Sequence, residues 1–136
     1  MAVRRISALL VVLPVLVLAL AACDDESETP CICTEEFRSY HLTVVDVDGE
    51  PADGVNIRVV RDQTGEQLDF GSPAGAPGAY VIMDDSFTDR IAADEPFEVS
   101  GVRGEASFTT GFRFGTDPCR CHVLLLAGPD RVTLSP

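Results

Sequence analysis

Two short elements hold the side chains with the most distinctive chemistry: Cys31-Ile32-Cys33, and Cys119-Arg120-Cys121 followed at once by His122. Paired thiols become disulfides or metal thiolates. Zinc sites favour a longer gap between paired cysteines, because that spacing lets both sulfurs reach one ion, so a single intervening residue is a poor match. A bridge inside one Cys-X-Cys is disfavoured as well, since the small ring fits disulfide geometry poorly. Residues two apart on a strand point to the same face, so each pair presents two sulfurs side by side, and the two pairs can form adjacent bridges across neighbouring strands. Antiparallel pairing gives Cys31 to Cys121 and Cys33 to Cys119; parallel pairing gives Cys31 to Cys119 and Cys33 to Cys121. The antiparallel version is the expectation, and the parallel one stays open. His122 and His41 would join the thiols only in a metal site. Otherwise they read as structural or surface histidines.

Carboxylates form the second group. Asp46-Val47-Asp48-Gly49-Glu50 places acids at alternate positions, and Asp84, Asp85 and Asp89 make another cluster. Both could offer oxygens to a hard cation such as Ca²⁺. The first lacks the third acidic position and the distal Glu of a Ca²⁺ loop, so Asp46, Asp48 and Glu50 are weak metal candidates and no cofactor is expected. There is no Gly-X-Ser-X-Gly, His-Glu-X-X-His or phosphate loop, each of which carries a recognisable catalytic geometry. The chain reads as non-enzymatic, with no catalytic residue assigned. His41 and His122 meeting beside an acid in one cleft would count toward an enzyme.

Upstream, Leu20-Ala21-Ala22-Cys23 closes an apolar run from Ile6 that follows Arg4 and Arg5 and contains Pro14. A positive start, an apolar centre and small residues before a cut are the pattern of an export signal. With its cysteine, the stretch resembles the lipobox of a bacterial lipoprotein. That resemblance implies a signal peptide over residues 1–22, cleavage before Cys23 and lipid on Cys23. It implies anchoring in the cell membrane or outer membrane, facing the periplasm or exterior. An uncleaved anchor is the alternative, but Ile6 to Ala22 is 17 residues, at the short end of what spans a bilayer. Lipid on Cys23 accounts for the odd count of five cysteines, and an oxidising compartment makes disulfides the fate of Cys31, Cys33, Cys119 and Cys121. Residues 23–30 carry four acids and, after Cys23, no apolar side chain beyond Pro30, so they form a short solvated tether. Asp24 resembles the inner-membrane retention signal of enteric bacteria. The choice of membrane stays open.

Cleavage would leave 114 of the 136 residues, one domain with one core. The formal charge of −12 would become −14, because the removed segment holds two of ten arginines and none of 22 acids. Nucleic acid, which is bound through basic patches, is excluded as a partner. An envelope protein or glycan is the partner expected.

The elements that must position these groups are short runs rich in Val, Ile and Phe, punctuated by Gly, Pro and Asp, with no sustained helical period. Residues 31–136 therefore read as all-β, about seven strands in a β-sandwich. Tyr40 to Val47 is the first strand. Val55, Ile57 and Val59 alternate with Asn56, Arg58 and Val60 as a half-buried second. Gln67 to Phe70 is a short piece, and Gly71 to Gly78 is a loop. Ala79 to Met83 is a strand, and Asp84 to Pro96 is irregular with a helical turn around Arg90 to Ala93. Phe97 to Val102 and Ala106 to Phe114 form a strand pair, with Phe108, Thr110, Phe112 and Phe114 on one face. His122 to Leu126, apolar on both faces, is expected to be central or well covered. Val132 to Leu134 is a terminal strand, and the cysteine pairs are expected to staple the first and last strands.

Leu42 to Ile57, with its Asp46-Val47-Asp48-Gly49-Glu50-Pro51 turn and Gly54-Val55 step, resembles the opening of the carboxypeptidase regulatory-like domain. Gly78-Ala79-Tyr80-Val81-Ile82 is similar to that family's Gly-X-Tyr-X-Ile strand. The resemblance covers Leu42 to about Val102, more loosely beyond. It implies a seven-stranded, transthyretin-like or immunoglobulin-like sandwich, non-catalytic, serving as a binding or structural module. In this reading Gly49 and Pro51 make a hairpin turn, and Gly54 permits close backbone approach. Transthyretin-like hydrolases share the implied fold, but their C-terminal Tyr-Arg-Gly-Ser signature is missing.

Overall fold

The structure, a computed structural model, describes residues 30–70 and 74–136. The signal segment 1–22, lipidation at Cys23 and the tether up to residue 29 lie outside the described residues.

Cys31 to Pro136 is one compact unit of eight strands, β1 (Ser39–Val45), β2 (Asn56–Arg61), β3 (Gln67–Leu68), β4 (Ala79–Asp84), β5 (Glu95–Arg103), β6 (Ala106–Thr116), β7 (Val123–Ala127) and β8 (Arg131–Thr133). They form two sheets, β4-β1-β8 and β3-β2-β5-β6-β7. Every pairing is antiparallel except β1 with β8. Among the described residues the fold is thus all-β, a two-sheet sandwich with eight strands in place of about seven. The extra strand is the two-residue β3.

Alternation builds the core. Phe108, Phe112 and Phe114 of β6 are buried and Thr110 half-buried, while Thr109, Gly111 and Arg113 between them are exposed. Phe97 and Phe114 are fully buried with ring centroids 5.9 Å apart, edge to face. From the opposite sheet Leu42, Val44, Tyr80 and Ile82 complete the same apolar cluster. Val55 and Val59 are buried and Ile57 half-buried, as the spacing predicts.

Three expectations are corrected. The turn after β1 is no hairpin between sheet neighbours: it closes only the Val45–Pro51 bridge, and β2 then crosses to the other sheet. Gly54 has φ +70° and open space where a Cβ would sit. It supplies left-handed backbone, and close approach occurs instead at Gly78, where a Cβ would lie 2.7 Å from the Val44 carbonyl oxygen. β7 is not central. It pairs with β6 alone at the sheet edge, and Leu125 and Leu126 are 40% and 44% exposed. A register shift opposite Arg113 and Phe114 leaves Leu126 out of the pairing.

The tyrosine of the Gly78-Ala79-Tyr80 motif has a definite task. Its hydroxyl donates to the Ala52 carbonyl at 2.7 Å and accepts the Val55 N–H at 3.0 Å, so it ties the crossing segment 52–55 to β4. Tyr80→Phe would leave one buried donor and one buried acceptor without partners. We expect a loss of about 2 kcal/mol, read from the urea unfolding midpoint. A loss below about 0.5 kcal/mol would mean that water replaces the hydroxyl.

Candidate functional site

The bridges are Cys31–Cys119 and Cys33–Cys121, with Cα separations of 5.4 and 5.3 Å. This is the parallel pairing, so the antiparallel expectation is corrected. The reason is local, because neither cysteine pair lies on a strand. Residues 31–33 run ahead of β1, and residues 119–121 sit in the turn between β6 and β7. That turn is set by Asp117, whose Oδ1 accepts the Cys121 N–H at 2.8 Å and whose carbonyl accepts the Arg120 N–H at 2.9 Å. Arg120 itself has φ +54°, uncommon for a side-chain-bearing residue. Its guanidinium donates to the Thr88 and Ile91 carbonyls at 2.7 and 3.2 Å. The staple thus joins the chain's entry to the β6–β7 turn, and not the first strand to the last.

Directly after each residue of the second bridge comes a polar side chain, Thr34 after Cys33 and His122 after Cys121. Thr34 Oγ1 lies 2.9 Å from His122 Nε2, and His122 Nδ1 lies 2.8 Å from Asp85 Oδ2. Asp85 opens a single 3₁₀ turn, Asp85–Phe87, capped by the Asp84 side chain. This corrects the helical turn expected around Arg90 to Ala93. An Asp at the cap position, accepting from the Ser86 N–H, is the local cause.

Asp85 and His122 side chains are only 8% and 7% exposed. Besides His122, Asp85 accepts the Arg38 and Val123 N–H groups, both at 2.8 Å. Burial pushes its pKa up, but the bonds from His122, Arg38 and Val123 outweigh it and hold the carboxyl below its ordinary 3.8. The ionised carboxylate can only accept, so Nδ1 bears a proton, and in the neutral form of the imidazole it is the nitrogen that holds it. Nε2 then accepts from the Thr34 hydroxyl, a tautomer assigned from the bonding network. Thr34 is exposed and borders an open cavity of about 240 Å³ lined also by Ile32, Arg38, Asp117, Cys121 and His122.

A depressed folded-state pKa adds stability that is complete above the unfolded value and lost as pH falls through the folded one. Asp85 should therefore leave stability flat down to about pH 5 and contribute to a decline that begins near 3.8. Asp85→Asn should remove part of that decline in acid unfolding. An unchanged profile would show that other carboxylates control it.

His41 does not join this array: it is exposed, and its Nε2 lies 3.2 Å from Ser39 Oγ. Asp46 Oδ1 accepts the Asp48 and Glu50 N–H groups, both at 3.0 Å, so it is a turn cap, with Asp48 and Glu50 exposed. Among the described residues no group of three or more His, Cys, Asp or Glu is placed to hold a metal ion. Thr34 and the Asp85–His122 bond escaped the sequence reading. Parallel cysteine pairing, carried one residue further, would have put Thr34 beside His122.

The class that fold and site define is a disulfide-stapled, two-sheet β-sandwich. Comparison with protein-family models, curated proteins and solved structures returns no match.

Proposed function

We propose that the chain is a lipid-anchored cell-envelope protein whose β-sandwich is presented from a membrane surface as a binding or structural module, of the carboxypeptidase regulatory-like, transthyretin-like kind. The observation that carries this reading is the position of the staple. Cys31 and Cys33 stand where the tether enters the domain, and both are bridged to the β6–β7 turn. Tension from an anchor would pass through sulfur into β6 and β7 before it could peel β1. Disulfides also belong to the oxidising compartment that export reaches. The partner in this reading is an envelope protein or glycan.

Non-reducing mass spectrometry of the full chain isolated from expressing cells tests it. The expected species begins at Cys23, carries acyl chains there and lacks four thiol hydrogens for two bridges. A chain that begins at Met1, or an unmodified Cys23, would overturn the lipid anchor.

A further inference from the structure

We propose that Thr34 is a nucleophile activated by His122 and Asp85, and that the cavity it borders takes small carboxylic esters, which it hydrolyses through an acyl-threonine. The three side chains form one line of hydrogen bonds, Thr34 to His122 at 2.9 Å and His122 to Asp85 at 2.8 Å. Both spacings lie within the reach that proton transfer requires. Nucleophile, base and orienting acid come from three separate segments, so a motif search along the chain could not assemble them.

Each part is positioned independently. Asp85 is fixed by two backbone N–H groups as well as the imidazole. His122 is 6% exposed, and the Cys33–Cys121 bridge holds the residue before it to the residue before Thr34. Thr34 alone faces solvent. A clamp made only to hold the chain's entry would need no hydroxyl open to a cavity. Arg38 is the cation among the cavity-lining residues; its guanidinium lies 3.3 Å from Glu36 Oε2 in a partly exposed surface pair, from which a developing oxyanion would draw it. A positive group there stabilises the negative charge that develops on a carbonyl oxygen under attack.

The step balances. Thr34 Oγ1 attacks the carbonyl carbon as its proton passes to His122 Nε2, and the oxyanion faces Arg38. Collapse breaks the bond to the leaving alkoxide or phenolate, which takes the proton from His122. Water then attacks the acyl-threonine, gives its proton to the same nitrogen, and Thr34 recovers it on leaving. Ester and water become acid and alcohol. The cavity is open to solvent, and Ile32, itself 86% exposed, offers an apolar side chain beside which a short acyl group can lie.

The inference does not depend on the membrane anchor, because an unanchored chain could be esterolytic and an anchored one inert. The full chain, purified with both bridges intact, is assayed with p-nitrophenyl acetate and separately labelled with an alkyl fluorophosphonate. We expect acetyl and phosphonyl adducts on Thr34 by peptide mapping. Thr34→Val, an isosteric change at an exposed position, should lower hydrolysis at least about a hundredfold, whereas Thr34→Ser retains it. Absence of any adduct on Thr34 in the unaltered protein would overturn the proposal. So would a Thr34→Val variant that melts like the parent and hydrolyses at the parent's rate.

Discussion

Removing both bridges together is expected to lower the stability of the domain by roughly 4.5 kcal/mol, and removing either one alone by much less. Each bridge closes a loop with a sequence separation of 88, which the chain-entropy relation converts to that figure. The two are offset by two residues at each end, so one of them already restrains almost the whole loop. With Cys31 and Cys119 replaced by Ser, Cys33–Cys121 still closes it, and the loss should stay near or below about 1 kcal/mol. Against a typical domain stability of about 5–15 kcal/mol, the double loss decides whether the protein is folded in warm solution. The converse pair, Cys33→Ser with Cys121→Ser, should cost more than its partner, because Thr34 and His122 lose the constraint that sets them face to face. Urea midpoints of the three variants check the ordering. If either single removal costs as much as the double, loop closure is not the source of the stabilisation, and local strain or packing at the staple takes its place.

What the sequence made legible and what it hid divide along one physical line. Side-chain parity on a strand is written in residue order, so the buried face of Phe108, Phe112 and Phe114 and the alternation of Val55, Ile57 and Val59 could be read directly. Which strand lies at an edge is a property of topology. The Val-Leu-Leu-Leu-Ala run of β7 suggests a covered strand, yet it borders solvent with Leu125 and Leu126 partly exposed. Apolar residues on a surface break no rule. The cysteine register was hidden for a related reason. It depends on the direction of two non-strand segments, and one of them is shaped by Arg120 at φ +54°, a conformation that its residue type does not announce.

The site was split between the two cases. Asp84-Asp85-Ser86 contains a recognisable cap, and the 3₁₀ turn it starts could have been placed from it. That Asp85 would serve His122, 37 residues away, follows only from the packing of β7 beside the end of β4. Its place among Asp84 and Asp89 suggested cation binding, but Asp84 is spent on the Ser86 N–H and Asp85 on three donors. Clustering of acids in sequence thus gave no information about their joint use. Their separate hydrogen-bond partners account for them.

Truncating Glu95 should be the most damaging single substitution at a polar position, costing about 3–5 kcal/mol. Glu95 starts β5 with its side chain 4% exposed, and its Oε1 accepts from Arg61 Nη1 at 2.5 Å, with Arg61 11% exposed. Arg61 also donates from Nη2 to the Arg90 carbonyl at 2.9 Å and lies over the Phe97 ring at 5.7 Å. Its Nε is 3.2 Å from Glu66 Oε2 but off the line of a hydrogen bond, and counts as unsatisfied. Glu66 can therefore supply some Coulombic attraction but cannot replace Glu95. Glu95→Ala would leave a buried guanidinium short of its main partner, whereas Glu95→Leu combined with Arg61→Met removes both charges and should be near neutral, as buried pairs often are when replaced whole. A Glu95→Ala loss under about 1 kcal/mol, or a double variant as unstable as the single, would sink this account. The damage should also travel. Glu95 Oε2 accepts the Ala92 N–H at 3.1 Å, and the neighbouring Thr88 and Ile91 carbonyls are the acceptors of Arg120. The loop 88–92 is thus held between the buried ion pair and the turn that carries Cys119, Cys121 and His122. In Glu95→Ala, faster hydrogen exchange is expected first at the Ala92 amide and then at Arg120 and Cys121, while the β5–β6 ladder from Val99 to Arg103 keeps its protection.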